Sequence, residues 1–212
     1  MTQVRSFIAI DPHPEVRGRM AQLARELAEA GADVRWVREE GLHCTLKFLG
    51  AVDADRLEEA SQALRAAVQM RPAFDVWAHG VGVFPAPRNP RIVWVGLEDR
   101  PEKGSPSPLR ELATGVDSSL EGLGFARESR PFRAHVTLGR VRGRGGWSRL
   151  AERMRTFDGV ELGSFRVDRI VVYRSDLGRG GSVYTPLWTI PLAESTLAPA
   201  PGPDREDGGS GK

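Results

Sequence analysis

His43-Cys44-Thr45-Leu46 and His135-Val136-Thr137-Leu138 are the two stretches of this chain whose residue types and spacing together suggest chemistry. The second begins 92 residues after the first. On a strand, residues i and i+2 share a face, while i+1 and i+3 point the other way. His43 and Thr45 therefore project together, as do His135 and Thr137, and Cys44, Leu46, Val136 and Leu138 pack behind them. If the two histidine faces meet across a cleft, they flank a bound group with two imidazoles and two hydroxyl donors. That set suits displacement at phosphorus. One histidine takes a proton from attacking water and the other gives one to the departing oxygen, with no metal required. Imidazole fits both tasks because its ordinary pKa is about 6.5. The threonine hydroxyls can donate to non-bridging oxygens, where charge accumulates in the transition state.

A lone His-x-Thr is common in ordinary strands and signals little. The two copies gain weight from the elements around them. Residues 4–10 read as a buried strand, and Val16, Met20, Leu23, Ala24 and Leu27 set a helical period over 15–30 that stops at Gly31. Short strands follow at 33–37 and 43–49. Asp53 or Asp55 caps a helix running to about residue 70. Strands at 74–84 and 91–97 are joined by the loop PAPRNP. A hydrophilic linker at 99–108 leads to a helix over 109–123, an irregular arginine-rich segment over 125–133 and a strand over 134–141. A short helix at 147–157 and strands at 165–174 and 183–192 complete the list. Each motif is preceded by strand and helix and followed by a helix and two strands, which reads as internal duplication. Phe84 and Tyr173 fall at similar distances after the two histidines. The predicted fold class is α+β, as two similar lobes. Each lobe is an antiparallel sheet with helices outside, the two related by a pseudo-twofold around a central cleft.

The chain has 212 residues, 40% hydrophobic and 27% charged, enough for one substantial bilobal domain over 1–193. Residues 194–212 have the composition of a disordered tail. No apolar run is long enough to span a membrane, and the first residues lack the pattern of a secretory signal. One cysteine excludes an internal disulfide or a cysteine metal cluster. The expectation is a cytoplasmic monomer without metal or cofactor. Net charge is only +2, yet 27 of the 30 basic residues are arginine, whose planar fork suits phosphate. A GC-rich genome would produce the same excess.

HCTLKFLG and HVTLGRVR resemble the paired His-x-Thr motifs of the 2H phosphoesterase superfamily. The wider phrases RSFIAI, GVGVFPAPRNPRIVWVGL, RPFRAHVTLGR and SDLGRGGSVYTPLWTIPL resemble the bacterial RNA 2′,3′-cyclic phosphodiesterases, also known as 2′-5′ RNA ligases. The likeness runs over roughly residues 4–192. It departs at Ala134, where proline is frequent, at Gly139, where alanine is frequent, and in the tail. The resemblance implies a V-shaped cleft and hydrolysis of RNA 3′ ends bearing a 2′,3′-cyclic phosphate to 2′-phosphate ends. It also implies His43 as proton donor, His135 as proton acceptor, and Thr45 and Thr137 as phosphate ligands. Ligation by the reverse reaction and a non-catalytic RNA-binding module are the competing readings.

Further candidates follow from parity. Alternation puts Lys47 on the His43/Thr45 face, toward phosphate or RNA backbone, with a solvated strand-end lysine as the alternative. Phe48 falls one residue off that face and stacks a base only by swinging in; core packing is the other reading. Arg133 shares the parity of His135 and Thr137. Arg130 is the next candidate for the rim, and Arg140 joins only if the strand bulges. Cys44 reads as a buried structural thiol, His13 and His79 as surface or loop residues, and the tryptophans mostly as core.

Overall fold

The computed structural model describes residues 3–101, 103–178 and 181–194. Among them the chain forms, in order, β1 (Gln3–Ile10), α1 (Pro14–Ala28), β2 (Val34–Trp36), β3 (Cys44–Asp53), α2 (Ala54–Val68), β4 (Phe74–Ala86) and β5 (Asn89–Asp99). Then come α3 (Pro108–Ser119), β6 (His135–Val141), α4 (Trp147–Arg155), β7 (Glu161–Val167), β8 (Arg169–Gly178) and β9 (Gly181–Pro191). No described helix is long and apolar enough to cross a membrane. Glu194 apart, the expected tail lies outside the described residues.

Local chemistry accounts for the helix starts. Pro14 occupies the first turn of α1, where its missing N–H costs nothing, and the His13 ring accepts from the Glu15 N–H. Ser107 caps α3 by accepting from the Arg110 N–H. Asp99, at the end of β5, accepts from Ser107 Oγ and the Leu109 N–H, and so ties α3 to the strand before it.

The strands build two antiparallel sheets, one ordered β3-β1-β8-β9 and the other β2-β6-β5-β4-β7. Helices α2 and α3 pack on the first sheet, and α1 packs on the second with α4 beside it. A continuous apolar core, including Ile8, Met20, Leu64, Leu112, Val136 and Leu150, runs beneath both. The α+β class with two antiparallel sheets agrees with the sequence reading.

The chain, however, weaves between the sheets. β1 and β3 lie in the first sheet, while α1 between them packs on the second; β5 and β6 lie in the second, while α3 between them packs against the first. Three further details differ from the sequence pattern. The strand expected at 165–174 divides at Asp168 into β7 and β8, which belong to different sheets. The loop expected at PAPRNP shrinks to a turn at Pro87 and Arg88, because β4 and β5 pair out to Ala86 and Asn89. β3 continues past 49 to Asp53, passing Gly50 at a φ of +78° that favours glycine.

Candidate active site

β3 and β6 carry the two motifs, and each strand bulges at the motif leucine. Pairing with β1 passes from Thr45–Ala9 directly to Lys47–Ile8, leaving Leu46 without a partner. Pairing of β6 with β5 passes from Thr137–Trp94 to Gly139–Val93, leaving Leu138 without one. An extra residue reverses alternation beyond it. Phe48 and Arg140 thus come to the side occupied by His43, Thr45, His135 and Thr137, and all six line one cleft, which Lys47 borders as well.

The imidazoles are held alike. His43 Nδ1 donates to the Gly41 carbonyl at 2.9 Å, and His135 Nδ1 donates to the Arg133 carbonyl at 2.7 Å. Each bond joins a histidine to the carbonyl two residues before it. This fixes the tautomer and leaves Nε2 as the nitrogen free for chemistry. Phe7 stacks on His43 with ring centroids 4.7 Å apart, and Tyr184 meets the same ring edge-on at 5.0 Å. Phe84 meets His135 edge-on at 4.9 Å. Neither threonine hydroxyl has a hydrogen-bond partner among the described residues, so both can serve a ligand.

Burial pushes His43 down to about 4, with the nearby Arg140 and His135 adding to the fall and the Gly41 carbonyl opposing it. Burial lowers His135 as well, aided by Arg140 and opposed by the Arg133 carbonyl. Both rings are therefore neutral near pH 7 in the unliganded protein. The cleft has a volume of about 1110 Å³ and is lined by Arg5, Arg110, Arg127, Arg130, Arg133 and Arg140. Among the described residues two acidic ones line it, Asp117 and Glu128, and Lys47 neutralises the first. The balance favours an anion. Arg133 also lies over the Phe84 ring at 5.7 Å.

Lys47 does not present a free charge to this cleft. The bulge turns it away from His43, and it is 2% exposed. Its ammonium donates to Asp117 Oδ1 at 2.5 Å and to the Ala126 carbonyl at 2.7 Å. Burial alone would raise Asp117, but the bonds from Lys47 and the Glu128 N–H hold it below the usual carboxylate range. This cluster pins the start of the segment that carries Arg130 and Arg133. The same parity change brings Phe48 out, 58% exposed, without the swing that alternation requires.

Cys44 is fully buried and its thiol is pushed up to about 12, which suits a structural role. His79 is a surface residue beside Glu98. No tryptophan lines the cleft. Sequence reasoning missed Phe7, Arg5, Arg110 and Arg127, and left Tyr184 without a role. Phe7 opens the buried apolar run Phe7–Ile10 of β1, where nothing alternates and nothing marks the face that meets a cleft. In the sequence Phe84 and Tyr173 read only as repeat markers. Phe84, from the first repeat, packs on the second histidine, and Tyr173, from the second, packs on Phe7 and lies 6.2 Å from the first histidine.

The family model for LigT-like phosphoesterases matches residues 10–94 and 101–184, and each matched segment contains one His-x-Thr pair. This chain belongs to that family, the 2H phosphoesterases. Its relatives include a protein of Methanothermobacter thermautotrophicus named RNA 2′,3′-cyclic phosphodiesterase, 34% identical over 86% of this chain and 96% of that one. The protein of the same name from Escherichia coli K12 is 31% identical over 88% of this chain and 96% of its own length. Among solved structures, E. coli LigT complexed with 3′-AMP is 27% identical with a TM-score of 0.68, covering 90% of this chain and 98% of that one. The apo form gives a TM-score of 0.71 at 26% identity, covering 92% and 100%.

Proposed function

We propose that this protein hydrolyses the 2′,3′-cyclic phosphate at RNA 3′ ends to a 2′-phosphomonoester by two-histidine acid–base catalysis. The observation that carries the reading is the matched pair of imidazoles. Both are fixed through Nδ1 to the carbonyl two residues back, and both line one arginine-rich cleft. The names of the relatives support the substrate, and the LigT complex with 3′-AMP supports a cleft that accepts a nucleotide phosphate.

His135, neutral in the free protein, takes a proton through Nε2 from the water that attacks phosphorus. The bond from phosphorus to the 3′-oxygen breaks as that to water forms, and the phosphate stays on the 2′-oxygen. His43 gives its Nε2 proton to the departing 3′-oxygen. To do so it must first be protonated, and the negative substrate phosphate offsets the burial that keeps the free ring neutral. Thr45 and Thr137 donate to the non-bridging oxygens. Arg140, Arg133 and Arg130 hold the phosphate and the adjoining backbone from the rim. Proton exchange with solvent resets the pair, so no cofactor is consumed.

Product analysis on an oligoribonucleotide ending in a 2′,3′-cyclic phosphate tests this. The expected product carries a 2′-phosphate and a free 3′-hydroxyl. A 3′-phosphate would place the cyclic ring in the opposite sense between the histidines, and an unchanged substrate would remove the reaction.

A further inference from the structure

We infer that the arm of the cleft bordered by α3 is a second subsite, which binds the phosphodiester before the terminal nucleotide through Arg110. The inference rests on the proposed action at RNA 3′ ends. In such an end both the 2′- and 3′-oxygens of the last ribose are held in the cyclic phosphate. The chain can continue only through the 5′-oxygen, so every further contact lies on that side.

The cleft is larger than one nucleotide needs. Sites for small ligands begin near ~300 Å³, and this one has about 1110 Å³ in continuous space. The lining also takes in Gly50 of β3 and one face of α3, which packs on β3 and presents Arg110, Ala113, Thr114 and Asp117 at helical spacing. A Cβ at Gly50 would meet nothing within 4 Å, so this floor is open. Ala113 is packed into the core and offers no polar group to a ligand. Thr114 Oγ1 donates to its own helix at the Arg110 carbonyl, so it supplies no proton to a phosphate. Asp117 would repel one, but its charge is taken by buried Lys47. What remains on this face is the exposed Arg110 guanidinium, whose fork matches a phosphodiester. Lys47, just after the first motif, thus serves this arm indirectly, by neutralising the Asp117 carboxylate on α3.

The test compares equilibrium binding of adenosine 2′-phosphate with that of adenylyl-adenosine carrying the same 2′-phosphate, by calorimetry at low salt. The wild-type protein should bind the dinucleotide about three- to fivefold more tightly, the upper range for one exposed ion pair. Arg110→Ala should reduce that ratio to near one and lower the salt slope of dinucleotide binding by about 0.7. Arg110→Lys should keep most of the ratio. Equal affinities in the wild-type protein, or an undiminished ratio in Arg110→Ala, would overturn the subsite. Turnover of adenosine 2′,3′-cyclic phosphate is measured alongside. Its absence would strike the proposed reaction and leave the binding ratio to decide the subsite by itself.

Discussion

The motif strands β3 and β6 use the same device in different surroundings. Each bulges at its leucine, and each sends the residue two places later into the cleft. They differ at the position between, which is Lys47 in β3 and Gly139 in β6. β3 is the edge of its sheet, so Lys47 has room to reach α3. β6 is covered on its outer side by β2. A Cβ on Gly139 would fall 2.6 Å from Val34 Cγ1 and 2.9 Å from the Trp36 ring, so that site admits no side chain without movement. A repeated motif can thus keep its aim into the cleft while the residues behind it answer to different neighbours.

The largest expected effects test whether the two histidines differ in role, as their environments suggest. His43→Ala and His135→Ala should each lower turnover by about two to four orders of magnitude. A substrate with sulfur in place of the 3′-oxygen separates them, since a thiolate leaves without a proton. His43→Ala should recover much of its rate on that substrate, and His135→Ala should not. Rescue of the second variant alone would exchange the two assignments.

Next in size is the buried pair. Lys47→Met leaves the Asp117 carboxylate without its main partner and should cost about 3 kcal/mol in denaturant unfolding. Adding Asp117→Leu removes the stranded charge and should return most of that stability. A single variant as stable as the wild type would mean that the ammonium does not hold Asp117 and Ala126 together in solution.

At the matching position in β6 the expected cost is smaller. Gly139→Ala should destabilise by about 1–2 kcal/mol through overpacking against β2. Val34→Ala in the same chain should relieve it, because the nearest obstructing atom is a Val34 methyl carbon. Failure of that relief would locate the strain elsewhere in β6.

The smallest effect concerns the residues that the bulges deliver. Arg140 lowers both histidines, so Arg140→Gln should raise both. The pH profile of kcat/KM, which reports free-enzyme groups, should then move to higher pH. Phe48, at the equivalent place in β3, carries no charge, and Phe48→Leu should leave the profile where it was. A shift of the same size in both variants would detach the effect from the guanidinium.

The sequence alone marked the two His-x-Thr pairs as candidates for chemistry and set how each pair is aimed. That His43 and Thr45 share a face follows from the geometry of any strand, and so does the burial of Cys44 behind them. Helix stripes and caps were equally legible, because they depend on neighbours within a turn or two. The parity beyond each leucine was not legible there, since a bulge is set by pairing with a distant strand. That single extra residue moved Lys47 inward to Asp117, seventy positions away, and brought Phe48 and Arg140 outward. The assignment of β7 and β8 to different sheets, and the packing of Phe84 on the histidine of the other repeat, were hidden for the same reason. Alternation is a local property of the backbone, whereas register and sheet membership are chosen by contacts between segments far apart in the chain.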